Sequence, residues 1–284
     1  MINNYVLETL KQNNVNDARS FENVLRELAQ KMLLYALSRT SFFKKAVFYG
    51  GTCLRIFHNI QRFSEDLDFT VLEENIDFSW DDYMPACIRT LESYGFEVEI
   101  GSKPEYDIGE IRRRYVKIPC YDIAKEYFGR EVFHKDKKLS IKMEISTWFV
   151  EGAQCSLETI YAPMISSVLC YDMSTLFAGK LAAVMNRSWR SRVKGRDFYD
   201  YIFYITLGTK YNFEYLKNKC ASSLEVDPKE ITEERIKATL LERFESIDYK
   251  QVMADIAPFV DANDKIGEIT KDILIPTIKI LSHN

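Results

Sequence analysis

Ala46-Val47-Phe48-Tyr49-Gly50-Gly51-Thr52, followed by Arg62-Phe63-Ser64-Glu65-Asp66-Leu67-Asp68-Phe69, is the stretch whose reading decides the fold. It reads as an apolar strand, a double glycine, a short amphipathic helix and a second strand. Residues along a strand alternate faces with a rise of about 3.3 Å, so Asp66 and Asp68 point the same way, roughly 6.6 Å apart at Cα. Leu67 and Phe69 point the other way, into a core. Two carboxylates on one face repel each other, and more strongly where water is excluded. A divalent cation removes that conflict. Gly50 and Gly51 let backbone N–H groups approach an anion with no Cβ in the way. Thr52 is placed to cap the following helix, whose positive end favours phosphate. Asp-x-Asp beside a glycine turn therefore suggests a Mg²⁺ site next to a phosphate cradle. A plain strand-to-helix turn accounts for Gly50-Gly51-Thr52 taken alone; the order and spacing of the parts carry the reading.

Outward from this stretch, the composition sets bounds. The chain has 284 residues, enough for one large domain or two modest ones. Its formal net charge of −4 gives no global positive field, so any nucleic acid must be held by a local basic patch. The six cysteines are scattered with no Cys-x-x-Cys pair, which predicts reduced thiols rather than disulfides or structural zinc. None of the three histidines has metal-ligand spacing. The first ten residues lack the basic and apolar regions of a secretory leader, and no apolar run approaches membrane-spanning length. A cytoplasmic protein with no membrane partner is expected.

Helical spacing runs from a cap at Asp17 or Ser20 to about Ser38, and again from about 81 to 93. Phe96–Ile100 and Leu139–Ser146 alternate as strands, and Arg112-Arg113-Arg114-Tyr115-Val116-Lys117-Ile118 is a basic strand candidate. An amphipathic segment lies near 122–129, and 164–170 reads as a last strand. From Ser174, read as a helix cap, nearly everything has helical period, with further helices near 212–222, 229–244, 249–259 and 266–281. The expected fold class is α+β. A mixed-sheet core with flanking helices occupies 1–160, and a mainly helical domain occupies 161–284.

Three further constellations could complete a site. Glu144 is a mid-strand carboxylate; it is either a third acid for a two-metal centre or a solvent-facing partner of Lys142. Lys180 and Arg187 are seven residues apart on one helix and share a face. Lys180 is bracketed by Phe177, Ala178, Leu181 and Ala182, so it needs a counter-charge, which a triphosphate would supply. In Arg196-Asp197-Phe198-Tyr199-Asp200, Asp197 can cap a helix or present acid to a site, and Arg196 and Asp200 have the spacing of a helical ion pair. Trp189 with Arg190, Arg192, Lys194 and Arg196 is the best local patch for nucleic-acid phosphates and a stacked base. The run at 112–114 is a second patch, or simply a solvated strand end.

Taken in this order, the motifs resemble the AbiEii/AbiGii abortive-infection toxin family of the polymerase-β-like nucleotidyltransferase superfamily. The resemblance covers about residues 46–200. It is carried by Gly50-Gly51-Thr52, Arg62-x-Ser64-x-Asp66-x-Asp68, Lys142-x-Glu144-x-Ser146, Lys180 with Arg187, and Arg196-Asp197-x-x-Asp200. It implies a nucleotidyltransferase fold that moves NMP from an NTP to an acceptor hydroxyl, most often the acceptor end of tRNA or another RNA, with pyrophosphate released. Asp66, Asp68 and Glu144 would hold Mg²⁺ or Mn²⁺, Glu144 standing where the family commonly has Asp. Gly50, Gly51, Thr52, Ser64, Lys180, Arg187 and Arg196 would hold the nucleotide, with Lys180 and Asp197 joining the two aspartates in catalysis. The implied setting is a toxin–antitoxin or phage-defence system with a cognate antitoxin partner. A transferase acting on a small molecule or protein, and a non-catalytic RNA- or partner-binding relative, are the alternatives.

Overall fold

The structure is a computed structural model and describes residues 2–101, 104–186, 193–260 and 267–284. The chain divides into two compact units. The first comprises Met1–His58, Ser64–Phe149 and Leu157–Cys170; the second comprises Asn59–Phe63, Val150–Ser156 and Tyr171–Asn284.

In the first unit, α1 (Asn4–Gln12) and α2 (Ala18–Ser38) precede β1 (Ala46–Tyr49), α3 (Gly51–Phe57) and β2 (Leu67–Val71). Then follow α4 (Met84–Ser93), β3 (Glu99–Gly101), β4 (Ile111–Pro119), α5 (Tyr121–Phe128) and β5 (Lys138–Ser146). β6 (Cys155–Ile160) and β7 (Ser166–Tyr171) close it, each with an end that falls in the second unit. The seven strands form one sheet in the order β3-β4-β5-β2-β1-β7-β6. It is mixed: β1 runs antiparallel to β2 and parallel to β7, β5 runs parallel to β2 and antiparallel to β4, and β3 runs antiparallel to β4.

One sheet face is apolar because the strands alternate. Leu67, Phe69, Ile141, Met143, Ile145, Val116 and Ile118 are buried. Against them sits a ring cluster in which Phe42 lies 4.9 Å from Phe69 and stacks at 5.6 Å on Trp80. α2 packs on β5 and α4. Its start carries a reciprocal capping box: Ser20 N donates to Asp17 at 2.7 Å, and Ser20 Oγ accepts from Asp17 N.

Two boundaries differ from the sequence reading. Phe96 alternates with its neighbours, but its N–H bonds Leu91 O at the end of α4, so β3 starts only at Glu99. β6 has no counterpart in the sequence reading, because its alternation is short and opens on polar residues.

The second unit is helical: α6 (Met173–Asn186), α7 (Gly195–Thr206), α8 (Phe213–Leu224), α9 (Glu233–Ser246), α10 (Tyr249–Ile256) and α11 (Lys271–Thr277). α6 is its centre, packing on α7, α8 and α9. Phe177 stacks on Tyr204 at 4.6 Å, and Tyr201 meets Phe244 edge-on at 5.2 Å. A Cβ at Gly195 would lie 2.2 Å from Val252 O, so only glycine allows α7 to start against α10. Asp172, rather than Ser174, caps α6: its carboxylate accepts Thr175 N at 2.8 Å and Ser174 Oγ at 3.0 Å. The last helix is shorter than its periodicity suggests, running seven residues with Pro276 near its end.

Among the described residues there is no disulfide, and no helix is long and apolar enough to cross a membrane.

Candidate active site

In the first unit the turn between β1 and α3 builds the site. Gly50 has φ +87° and ψ −166°, a region open essentially to glycine alone. A Cβ on it would stand 2.9 Å from Asp68 Oδ2, so glycine is required by backbone and neighbour together. Gly50 is also the N-cap of α3. Thr52 does not cap that helix: it is buried, and its hydroxyl donates to Asp66 O, tying the start of β2 to the turn. Ser64 takes Gln30 Nε2 on its carbonyl at 3.2 Å.

Strand register then sets a polar row on the open sheet face. Tyr49 lies opposite Asp68, Asp68 opposite Glu144, and Glu144 opposite Arg113. One step along, Lys142 lies opposite Tyr115. β5 is thus an interior strand, and Glu144 belongs to the same row as Asp68. Its carboxylate is already engaged: Arg113 Nε donates at 2.5 Å, and Lys142 Nζ sits at 3.5 Å. Lys142 also reaches Asp66 at 3.0 Å. Burial alone would raise the pKa of Glu144; the hydrogen bond from Arg113 and the charge of Lys142 outweigh it and hold it below the ordinary range. Burial likewise works against the charge on Lys142, but Asp66 and Glu144 prevail and raise its pKa.

A hard divalent cation fits this donor set through Asp66 and Asp68. Mg²⁺ is usually held by one or two carboxylates, with substrate phosphates and water completing its shell. Asp66 is 40% exposed at its side chain and Asp68 is partly exposed beside the glycine turn. Among the described residues no three acidic, histidine or cysteine side chains gather as a metal cage.

In the second unit, Lys180 projects from α6 toward α7 and is 15% exposed. Its Nζ lies 2.8 Å from Asp197 and 2.8 Å from Asp200. Asp200 is fully buried and also receives Arg62, Nε at 2.5 Å and Nη2 at 2.7 Å, in a bidentate pair. Burial opposes every charge here, and the partners win. Asp197 and Asp200 raise Lys180, Arg62 and Lys180 lower Asp200, and Asp200 raises Arg62. The counter-charge that Lys180 requires is therefore supplied by two carboxylates of its own unit. Arg196 lays its guanidinium 4.0 Å over the Phe259 ring, and Asp200 pairs with Arg62 and Lys180. Arg187, Trp189, Arg190 and Arg192 lie outside the described residues.

Sequence reading brought Asp66, Asp68 and Glu144 into one motif set and the structure places them in one region of the first unit. It missed two partners. Arg62 and Asp200 stand 138 positions apart, and each was visible only inside a separate motif. Arg113 was read with Arg112 and Arg114 as a second basic patch or a solvated strand end, although alternation along β4 already set it on the opposite face from them.

Comparison with known proteins bears on this arrangement. A family model described as nucleotidyl transferase AbiEii toxin, type IV TA system, matches residues 32–272. The fold is similar to that of MenT4, a nucleotidyltransferase toxin from Mycobacterium tuberculosis H37Rv, with TM-score 0.58 and 15% identity, covering 96% of this chain and 88% of that one. JHP933 from Helicobacter pylori aligns with TM-score 0.45 and 16% identity over 99% of this chain and 90% of that one. No curated protein sequence matches.

Proposed function

The chain belongs to the AbiEii family of nucleotidyltransferase toxins of type IV toxin–antitoxin systems, and from that premise we propose that it transfers a nucleotide from an NTP to the acceptor end of tRNA in a Mg²⁺-dependent reaction. The observation that carries this reading is the pair Asp66 and Asp68, one just before β2 and one within it, with Asp68 against the Gly50 turn. In the reaction an acceptor hydroxyl gives up its proton to solvent, its oxygen bonds to the α-phosphorus, the bond from the α-phosphorus to the α–β bridging oxygen breaks, and pyrophosphate leaves. A bound Mg²⁺ would neutralise charge on the phosphates and polarise the α-phosphoryl group. Asp66 and Asp68 would hold that ion; Mn²⁺, with the same preference for oxygen ligands, would substitute. Gly50 and Gly51 let the backbone approach the phosphates, and Thr52 fixes the turn by its bond to Asp66 O. Ser64 lies two residues before Asp66 in the same motif.

By family resemblance Lys180, Arg187 and Arg196 serve nucleotide binding in the same reaction, with Asp197 as a further acid. The Lys180 ammonium keeps its charge against burial because Asp197 and Asp200 hold its proton. A cognate antitoxin is the protein partner this family implies.

The test is direct. Purified protein with Mg²⁺, each labelled NTP in turn and total RNA should place label on tRNA-sized RNA. Asp66→Ala should lower the rate by about a hundredfold or more, because the cation contributes several kcal/mol to the transition state. Wild-type protein that labels no RNA, or an Asp66→Ala variant as active as wild type, overturns the proposal. Label found on protein or on a small molecule would move the acceptor and keep the chemistry.

A further inference from the structure

Beyond Glu144 the open sheet face continues across β4 with a different chemistry, all of it within the first unit. Arg113, Tyr115 and Lys117 alternate onto this face, while Arg112 and Arg114 turn away. Arg114 is buried on Asp107 at 3.1 Å, and Arg112 donates to Gly109 O at 2.6 Å. Arg113 uses only its side-chain Nε, on Glu144, so among the described residues its two terminal amino groups make no hydrogen bond. Lys117 is partly exposed and has no ion-pair partner among the described residues: Glu99, which faces it from β3, is taken by Lys138 at 2.7 Å. Tyr115 and Tyr106 form an edge-on pair with centroids 4.9 Å apart, both partly exposed, and neither hydroxyl has a partner among the described residues. Gly101 stands opposite Tyr115 on β3, where a Cβ would press Tyr115 Cβ at 3.3 Å, so no side chain rises on that flank of the ring.

Cations with free donors that flank exposed rings, on a strand whose register leads to the aspartates, suit phosphates alternating with bases. We infer that the β4–β5 face, with Arg113, Tyr115 and Lys117, binds the single-stranded end of the RNA acceptor. A strand entering along this face has a base on Tyr115 and phosphates at Lys117 and Arg113. Its terminal hydroxyl lies toward Asp66 and Asp68, about two interstrand spacings, or roughly 10 Å, from β4. Duplex RNA presents no unstacked base to the ring and binds less well. The inference rests on RNA being the acceptor in the reaction proposed above.

Binding is measured without NTP or metal, so that its outcome is separate from catalysis. The probe is a short fluorescein-labelled single-stranded RNA, compared with the same sequence as a duplex, by anisotropy over a salt series. Tyr115→Ala should weaken single-strand binding by about five- to a hundredfold, and Tyr115→Phe should restore it, since the ring does the stacking. Lys117→Gln should weaken binding and reduce the slope of log K against log salt by about 0.7 to 1, as for one lost phosphate contact. Lys229→Gln, at an exposed lysine of the second unit, makes the same change in net charge as Lys117→Gln and should bind as wild type does. Thermal unfolding of each variant reports its folding. The face is overturned if folded Tyr115→Ala and Lys117→Gln both bind the single strand within twofold of wild type, or if the duplex binds more tightly. If these variants lose RNA while wild type transfers no nucleotide to RNA, the face stands and the proposed reaction falls.

Discussion

Asp200 has no exposed side-chain surface, yet it holds two cations, Arg62 and Lys180. Removing one partner from such a buried group leaves an uncompensated charge, at a cost of about 3–5 kcal/mol. Asp200→Asn should lower the unfolding free energy by that order at neutral pH, measured by urea titration. The pH dependence has a definite sign. Asp200's folded pKa is below its ordinary 3.8, so the stability it contributes is complete above 3.8 and is lost as pH falls through the lower folded value. The gap between wild type and Asp200→Asn should therefore narrow below that pH. A gap unchanged in acid would contradict the pairing. Lys180 acts in the opposite sense: its pKa is raised above 10.5, so its contribution is complete below 10.5 and fades only as pH climbs through the higher folded value. Gly50 is the second such residue. Gly50→Ala places a Cβ against Asp68 Oδ2 on a backbone with φ +87°, a strain of about 1–3 kcal/mol. Transfer activity should fall with stability, and Mg²⁺ affinity measured by calorimetry should weaken because Asp68 must move. Unchanged Mg²⁺ affinity would detach the turn from the metal site.

Among the elements, β4 shows how alternation separates neighbours of identical chemistry. Arg112, Arg113 and Arg114 are consecutive, but Arg113 faces the acidic row while Arg114 is buried on Asp107. Arg114→Ala should cost about 1.5–3 kcal/mol, the range for hydrogen bonds to charged groups. Arg112, whose side chain donates only to nearby carbonyls in its own loop and strand, should cost less than about 1 kcal/mol. Equal losses in chemical denaturation would mean that the strand's faces are not divided in this way. The same alternation made β2 and β5 readable from residue order, and β1 was readable as a continuous apolar run before the double glycine. β6 was not readable: an edge strand with Cys155, Leu157 and Thr159 exposed has no clean contrast between faces. Phe96 was misread because its burial is satisfied at the end of a helix and its N–H is consumed there.

On the scale of the whole chain, the net charge of −4 implies that any RNA must be held locally, and the proposed β4–β5 face offers local cations. The sequence reading divides the chain into a sheet-bearing part, 1–160, and a helical part, 161–284, since period 2 and period 3.6 leave different imprints on apolar spacing. The sequence by itself determined the glycine turn, the paired aspartates, the α+β class and the family, because these depend on local spacing and residue type. The tertiary structure decided the partners. Arg62 meets Asp200, Lys180 meets two carboxylates, and Glu144 is held by Arg113 and Lys142. A buried or half-buried charge must find an opposite charge, but the residue that provides it is chosen by strand register and helix packing, which no local pattern records.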